Sequence, residues 1–247
     1  FYNDLVHLLG KKQTLFYPSS YKRSVQYRQQ TDSGNIMLRT DVLNMLGNFA
    51  NHGSSPEDCL IIITYPEALV EKVITHQKLR KNTLYLNRGE KLSIEFLTEV
   101  LDEYHFERND FVYEPGQYAV RGGIVDVFSY ADNKPYRIDF FGDEIETIRS
   151  FSAETQISEN QLEKIVIMPN IRQLTFTESK ESFFCYIPLQ SSVWLSDIRY
   201  ISEKMNNIYE NTSVDEHNTE ETPWSNQEYL VNGNYFIEKL NQYKTIE

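Results

Sequence analysis

The sequence predicts an α/β protein interrupted by an α+β unit that is built on an antiparallel sheet, and three observations predict it. The first third alternates helical and extended patterns around a continuous apolar run, Cys59-Leu-Ile-Ile-Ile-Thr64, of the kind found in parallel sheets covered on both faces. The middle third changes to short strands separated by turn signals: Pro115-Gly116, Gly122-Gly123, Asp132-Asn-Lys-Pro135 and Gly142-Asp143. Charge shifts at the same places, with 10 basic and 7 acidic side chains in residues 1–84, 8 and 17 in 85–170, and 6 and 12 in 171–247. Segments 1–86, 87–170 and 171–247 are therefore read as a first lobe, an inserted α+β domain and a return segment.

In chain order, Phe1–Leu9 is helical and closed by Gly10 as a C-cap, Thr14–Tyr17 is extended into Pro18, and Asn35–Phe49 is helical. Cys59–Thr64 is the buried strand and Pro66–Thr75 a helix with proline in its first turn. A strand near Thr83–Leu86 and a helix over Ser93–His105 lead into the turn-rich segment. Strands at Ser182–Ile187 and Val193–Leu195 and a helix from Asp197 to Tyr209 close the pattern. Two polar stretches lack any period: Tyr21–Gly34, read as a loop, and the acidic Glu210–Thr222, read as a mobile one.

With 247 residues, 40% apolar and 13% aromatic, the chain can build real cores. Its net charge of −12 disfavours non-specific attraction to nucleic acid or an anionic membrane. Cys59 and Cys185 both sit in apolar runs and read as buried, reduced thiols. The sequence has no spanning-helix window and no signal segment, which together suggest a cytoplasmic protein. It opens on Phe1, already inside an amphipathic pattern, as a piece of a longer chain would.

Catalytic signatures are missing. There is no G-x-x-x-x-G-K-[ST] phosphate loop and no G-x-G-x-x-G, and the five histidines have no zinc spacing. Asp197, after an apolar strand, could imitate a magnesium-binding acid, but it also suits the N-cap of the helix that follows. Asp143, Glu144 and Glu146 read as a solvated charge cluster. The expectation is a non-catalytic chain with no cofactor and no metal.

Gly116–Phe151 is the informative segment. In Pro135-Tyr-Arg-Ile-Asp-Phe-Phe141 the strand period places Tyr136, Ile138 and Phe140 on one face and Arg137, Asp139 and Phe141 on the other. A phenylalanine beside an arginine and an aspartate either docks a partner, since arginine and aromatic side chains dominate interface energetics, or is covered internally. In the internal reading Arg137 pairs with Asp139 or Glu146. Arg121, ahead of Gly122-Gly123, is similarly poised, the glycines serving either a bulge or close packing that presents it, or simply a turn.

The run PGQYAVRGGIVDVFSYADNKPYRIDFFGDEIETIRSF resembles the amino-terminal region of the bacterial transcription-repair coupling factor family (Mfd), and more distantly the excision-repair helicase UvrB. LFYPSSYKR, NIMLRTDVLNML, IIITYPEALVEKV and FFCYIPLQSSVWL resemble flanking pieces of the same region. The resemblance implies a degenerate, partial P-loop-NTPase-like lobe with its companion subdomain in 171–247, and an inserted domain that binds the damage-recognition protein UvrA. Carried over by position, the UvrA-binding residues fall on Arg121, Arg137 and Phe141. It further implies a surface masked by the parent's carboxy-terminal domain, a motor and a polymerase-binding domain elsewhere in the parent chain, and a monomeric fragment with weak or no nucleic-acid binding. The alternative is a nucleic-acid module descended from the UvrB body. It would use Lys22, Arg23 and Arg28 interleaved with Tyr17, Tyr21 and Tyr27 as a stacking platform.

Overall fold

The computed structural model describes residues 2–10, 13–20, 33–52, 59–177, 179–211 and 227–246, which divide into two compact units, 1–76 with 172–247, and 77–171. Apart from Ser33 and Gly34, the polar stretch 21–34 lies outside the described residues, as does the acidic stretch from 212 to 222. Tyr21, Lys22, Arg23, Tyr27 and Arg28 therefore lie outside them too. Among the described residues no helix is long and apolar enough to cross a membrane.

The first unit begins with helix α1 (Tyr2–Leu9), closed by Gly10 at φ +89 with its N–H donating to Val6 O at 2.9 Å. Strand β1 (Thr14–Tyr17) pairs in parallel with β2 (Ile61–Thr64), and α2 (Ser33–His52) lies between them in sequence. The parallel pairing agrees with the apolar run, but its burial does not: every residue of β2 is only half-buried. The sheet is two-stranded, so β2 has a neighbour on one edge only among the described residues.

The helix expected over Pro66–Thr75 stops after one turn, α3 (Pro66–Leu69). Beyond it the β-branched pair Val73–Ile74 forms β3. Buried Arg39 bridges Glu71 at 3.2 Å, donates to Pro18 O at 2.7 Å and lies over the Tyr17 ring. Tyr17 stacks on Phe183 and is fully buried, so it is no part of a stacking platform.

After α4 (His76–Lys81), the second unit runs β4 (Leu84–Asn87), α5 (Ile94–Glu103), β5 (Glu107–Arg108), β6 (Gln117–Arg121), β7 (Ile124–Val127), β8 (Tyr136–Phe141), β9 (Glu144–Phe151), β10 (Ser158–Leu162) and β11 (Lys164–Ile167). Ser93 caps α5, its Oγ accepting from Phe96 N at 3.1 Å. Strands β10-β9-β8-β7-β6-β5 form one sheet, antiparallel except for the β5–β6 edge. Alternation turns Tyr118, Val125, Ile138 and Ile148 to one face, where they meet Leu97 and Leu101 of α5 and Leu86, Ile165 and Ile167 of the β4–β11 pair. One apolar face is thereby sealed, and the opposite face is left to carry polar side chains.

The chain then returns to the first unit through α6 (Ile171–Thr177), and β12 (Lys180–Glu181) pairs with β3. The strand expected at Ser182–Ile187 is instead a 3₁₀ turn, Phe183–Tyr186, capped by Ser182, whose Oγ accepts from Phe184 N. The turn buries Phe183, Phe184 and Tyr186 together and leaves Cys185 outside. Cys59 precedes β2 and is exposed as well, so both thiols are free but neither is buried. Strand β13 (Ser192–Trp194) pairs in parallel with β14 (Lys244–Ile246), flanking α7 (Ile198–Asn211) and α8 (Gly233–Leu240). Asp197 is the N-cap, accepting from Tyr200 N at 2.9 Å.

Candidate protein-docking face

Two tight hairpins build the polar face of the second unit. Arg121 opposes Ile124 across a two-residue turn whose first glycine, Gly122, sits at φ +59, a backbone that L side chains rarely adopt. The second, Gly123, packs so closely that a Cβ there would lie 3.1 Å from Phe140 O. The glycines thus serve both as a turn and as a close approach. At the same end of the sheet β8 and β9 are joined through Gly142-Asp143. Beside that turn, on the polar side of β8, Phe141 is 80% exposed.

The register then fixes the charges. Asp126 of β7 opposes Arg137 of β8, and Arg137 opposes Arg149 of β9. Asp126 is almost wholly buried and holds two arginines. Its Oδ1 accepts from Arg137 Nε at 2.7 Å, and its Oδ2 accepts from Arg137 Nη2 at 2.8 Å and from Arg121 Nη2. The bidentate bond to Asp126 holds the Arg137 guanidinium above its ordinary pKa, against the opposing pull of burial. Arg137 also donates to Gln156 O at 3.2 Å and lies over the Phe151 ring, which leaves its side chain 15% exposed. Arg121 donates to Asp110 O at 3.2 Å, covers Phe111 and keeps 39% of its side chain exposed.

All three sequence-assigned residues therefore lie on one face, and two of them meet at a single carboxylate. The internal pairing considered for Arg137 needs correcting, because its partner is Asp126 rather than Asp139 or Glu146. Asp139 is engaged by Arg149 at 2.5 Å and by the Thr147 hydroxyl. The sequence reading passed over Asp126, Arg149 and Phe111. A signal for the first existed, since Asp126 is the sole acid in the alternating strand Ile124–Val127, which faces Tyr136–Phe141 once the hairpins are drawn.

Comparison with known proteins matches residues 84–172 to the UvrB interaction domain. The chain is 27% identical over 238 residues to the transcription-repair-coupling factor of Bacillus subtilis, covering 96% of this chain and 19% of that protein. It is 34% identical over 109 residues to the one from Escherichia coli, covering 44% and 10% respectively. Against UvrABC system protein B of Streptococcus uberis it is 37% identical over 98 residues, 39% of this chain and 15% of that one. The chain thus spans between a tenth and a fifth of the length of these curated relatives. Residues 84–172 thus match the UvrB interaction domain, and the chain is similar to transcription-repair-coupling factors and, over a shorter stretch, to UvrABC system protein B.

Proposed function

We propose that this chain is a protein-docking module whose second unit binds UvrA, and that within a complete coupling factor it brings UvrA to stalled RNA polymerase. The observation that carries the reading is the pairing of an exposed aromatic, Phe141, with arginines fixed on the same sheet face by a buried carboxylate. Such a face is pre-organised, so little side-chain entropy is lost when a partner arrives. Phe141 would fill an apolar pocket on UvrA. Arg121 would pair with a carboxylate beside it, while Arg137 would offer its remaining edge and hold Asp126 in place. The acidity of the surrounding domain favours this protein partner over DNA.

In this reading the first unit is a degenerate NTPase-like lobe that turns over no nucleotide. In a complete coupling factor the face is masked by the carboxy-terminal domain, and the chain is monomeric and works in the bacterial cytoplasm. Calorimetric titration with purified UvrA at rising salt tests the docking claim. Binding should weaken with ionic strength, and Arg121→Ala combined with Arg137→Ala should lower affinity by about thirtyfold or more. An undiminished complex with that double variant would refute the face.

A further inference from the structure

On the same face Arg149 keeps donor capacity that its internal bond to Asp139 leaves unused. It opposes Arg137 directly across β8 and β9, and like charges in that register repel. Its Nη2 donates to Asp139 Oδ2, the oxygen that also accepts from the Thr147 hydroxyl, and its Nε is buried without a partner among the described residues. A buried donor left in this way calls for a reason. The side chain is 38% exposed, matching Arg121 and well above Arg137. It lines an open depression with Ile124, Asp139, Thr147 and Gln161, whose wall includes Phe140, the neighbour of Phe141.

We propose that Arg149 is a further contact of the docking face, taking a carboxylate from an acidic partner segment that crosses β6 to β9. The proposal rests on the docking reading above. Those strands span three inter-strand steps, roughly 14 Å, enough for a short extended segment. Charge complementarity sets the chemistry. Three guanidiniums, Arg121, Arg137 and Arg149, face two carboxylates, Asp126 and Asp139, so the ladder keeps one positive charge in excess. Glu146 lines the same depression and Glu144 stands exposed opposite Phe141 at the β8–β9 turn, which suits a partner offering separate carboxylates between apolar side chains and repels a continuous phosphate backbone.

The test compares UvrA affinity for the natural chain with R149Q, R149K and D139N, with thermal melting of each as the check on folding. R149Q should weaken binding about tenfold and flatten its salt dependence, and R149K, which keeps the charge but loses the planar fork, should fall between. D139N should bind as well as the natural chain or better, because it removes the negative charge that competes for Arg149 while keeping a neutral acceptor in its place. Unchanged binding by R149Q alongside loss in R121A would overturn this contact and leave the docking reading standing. Equal loss in R149Q and D139N would also overturn it, by making the Arg149–Asp139 pair structural. No binding by the natural chain would overturn the docking reading and this contact with it.

Discussion

Phe141 and Asp126 sit within one face yet answer to different physics. Phe141 makes its surface available to a partner and contributes little to the fold, so Phe141→Ala should leave thermal stability within about 0.5 kcal/mol of the natural chain. Asp126 has the opposite character, because removing it strands two guanidiniums, one of them largely buried, around an empty acceptor site. Asp126→Ala should cost about 3 kcal/mol or more in denaturant unfolding, and it should also loosen Arg121. If Asp126→Ala proved as stable as the natural chain, the carboxylate would not be the anchor of this face. Alternation placed Phe141 on the polar face of its strand but left open whether a partner or the protein itself covers it, and the assignment to a partner came from the family resemblance. Asp126 was not legible, because its meaning comes from a strand brought alongside by a hairpin whose register only the fold displays.

At the scale of elements, the parts that the sequence predicted well are those with a long period or a definite stop. Helix α5, with Ser93 as its cap, and the two glycine-turn hairpins are of this kind. The misread parts are short. Pro66–Thr75 contains a helix start but then two β-branched residues that pair with β12, and Ser182–Ile187 has strand composition but a serine cap that curls it. Two elements invite direct measurement. The N-terminus of α8 approaches α7 so closely that a Cβ on Gly233 would lie 2.2 Å from Ser202 O, so Gly233→Ala should destabilise the first unit by about 2 kcal/mol or more. In the second unit, burial and the bond it donates to Asp102 at 2.6 Å push the Tyr118 phenol up to about 12, from an ordinary value of 10.0. A phenol whose pKa is raised by folding contributes stability that is intact below pH 10 and lost as pH climbs towards 12. Unfolding followed across that window should show the decline, and Tyr118→Phe should flatten part of it. An identical slope in the variant would place the titration elsewhere.

The whole molecule divides its work unevenly. The second unit, which coincides with the UvrB interaction domain match, has a sealed core on one side of its sheet and an arginine-and-aromatic face on the other. The first unit keeps two-stranded parallel sheets and a buried Arg39–Glu71 pair, and the proposal gives it no catalytic role. The purified chain should therefore release no phosphate from ATP above background, and turnover would require a different account of that lobe. The changes of charge and turn density near residues 86 and 170 fall close to the limits of the second compact unit, 77–171. Which face of the inserted domain is open was visible only in part, because burial of Arg137 and exposure of Arg149 depend on the loops and neighbouring strands that cover the sheet. The most direct measurement of the central claim is calorimetric binding of the natural chain and of Phe141→Ala to purified UvrA. A salt-sensitive complex that weakens about thirtyfold in a variant with unchanged melting is the predicted result. Equal affinity of the two proteins for UvrA would contradict it.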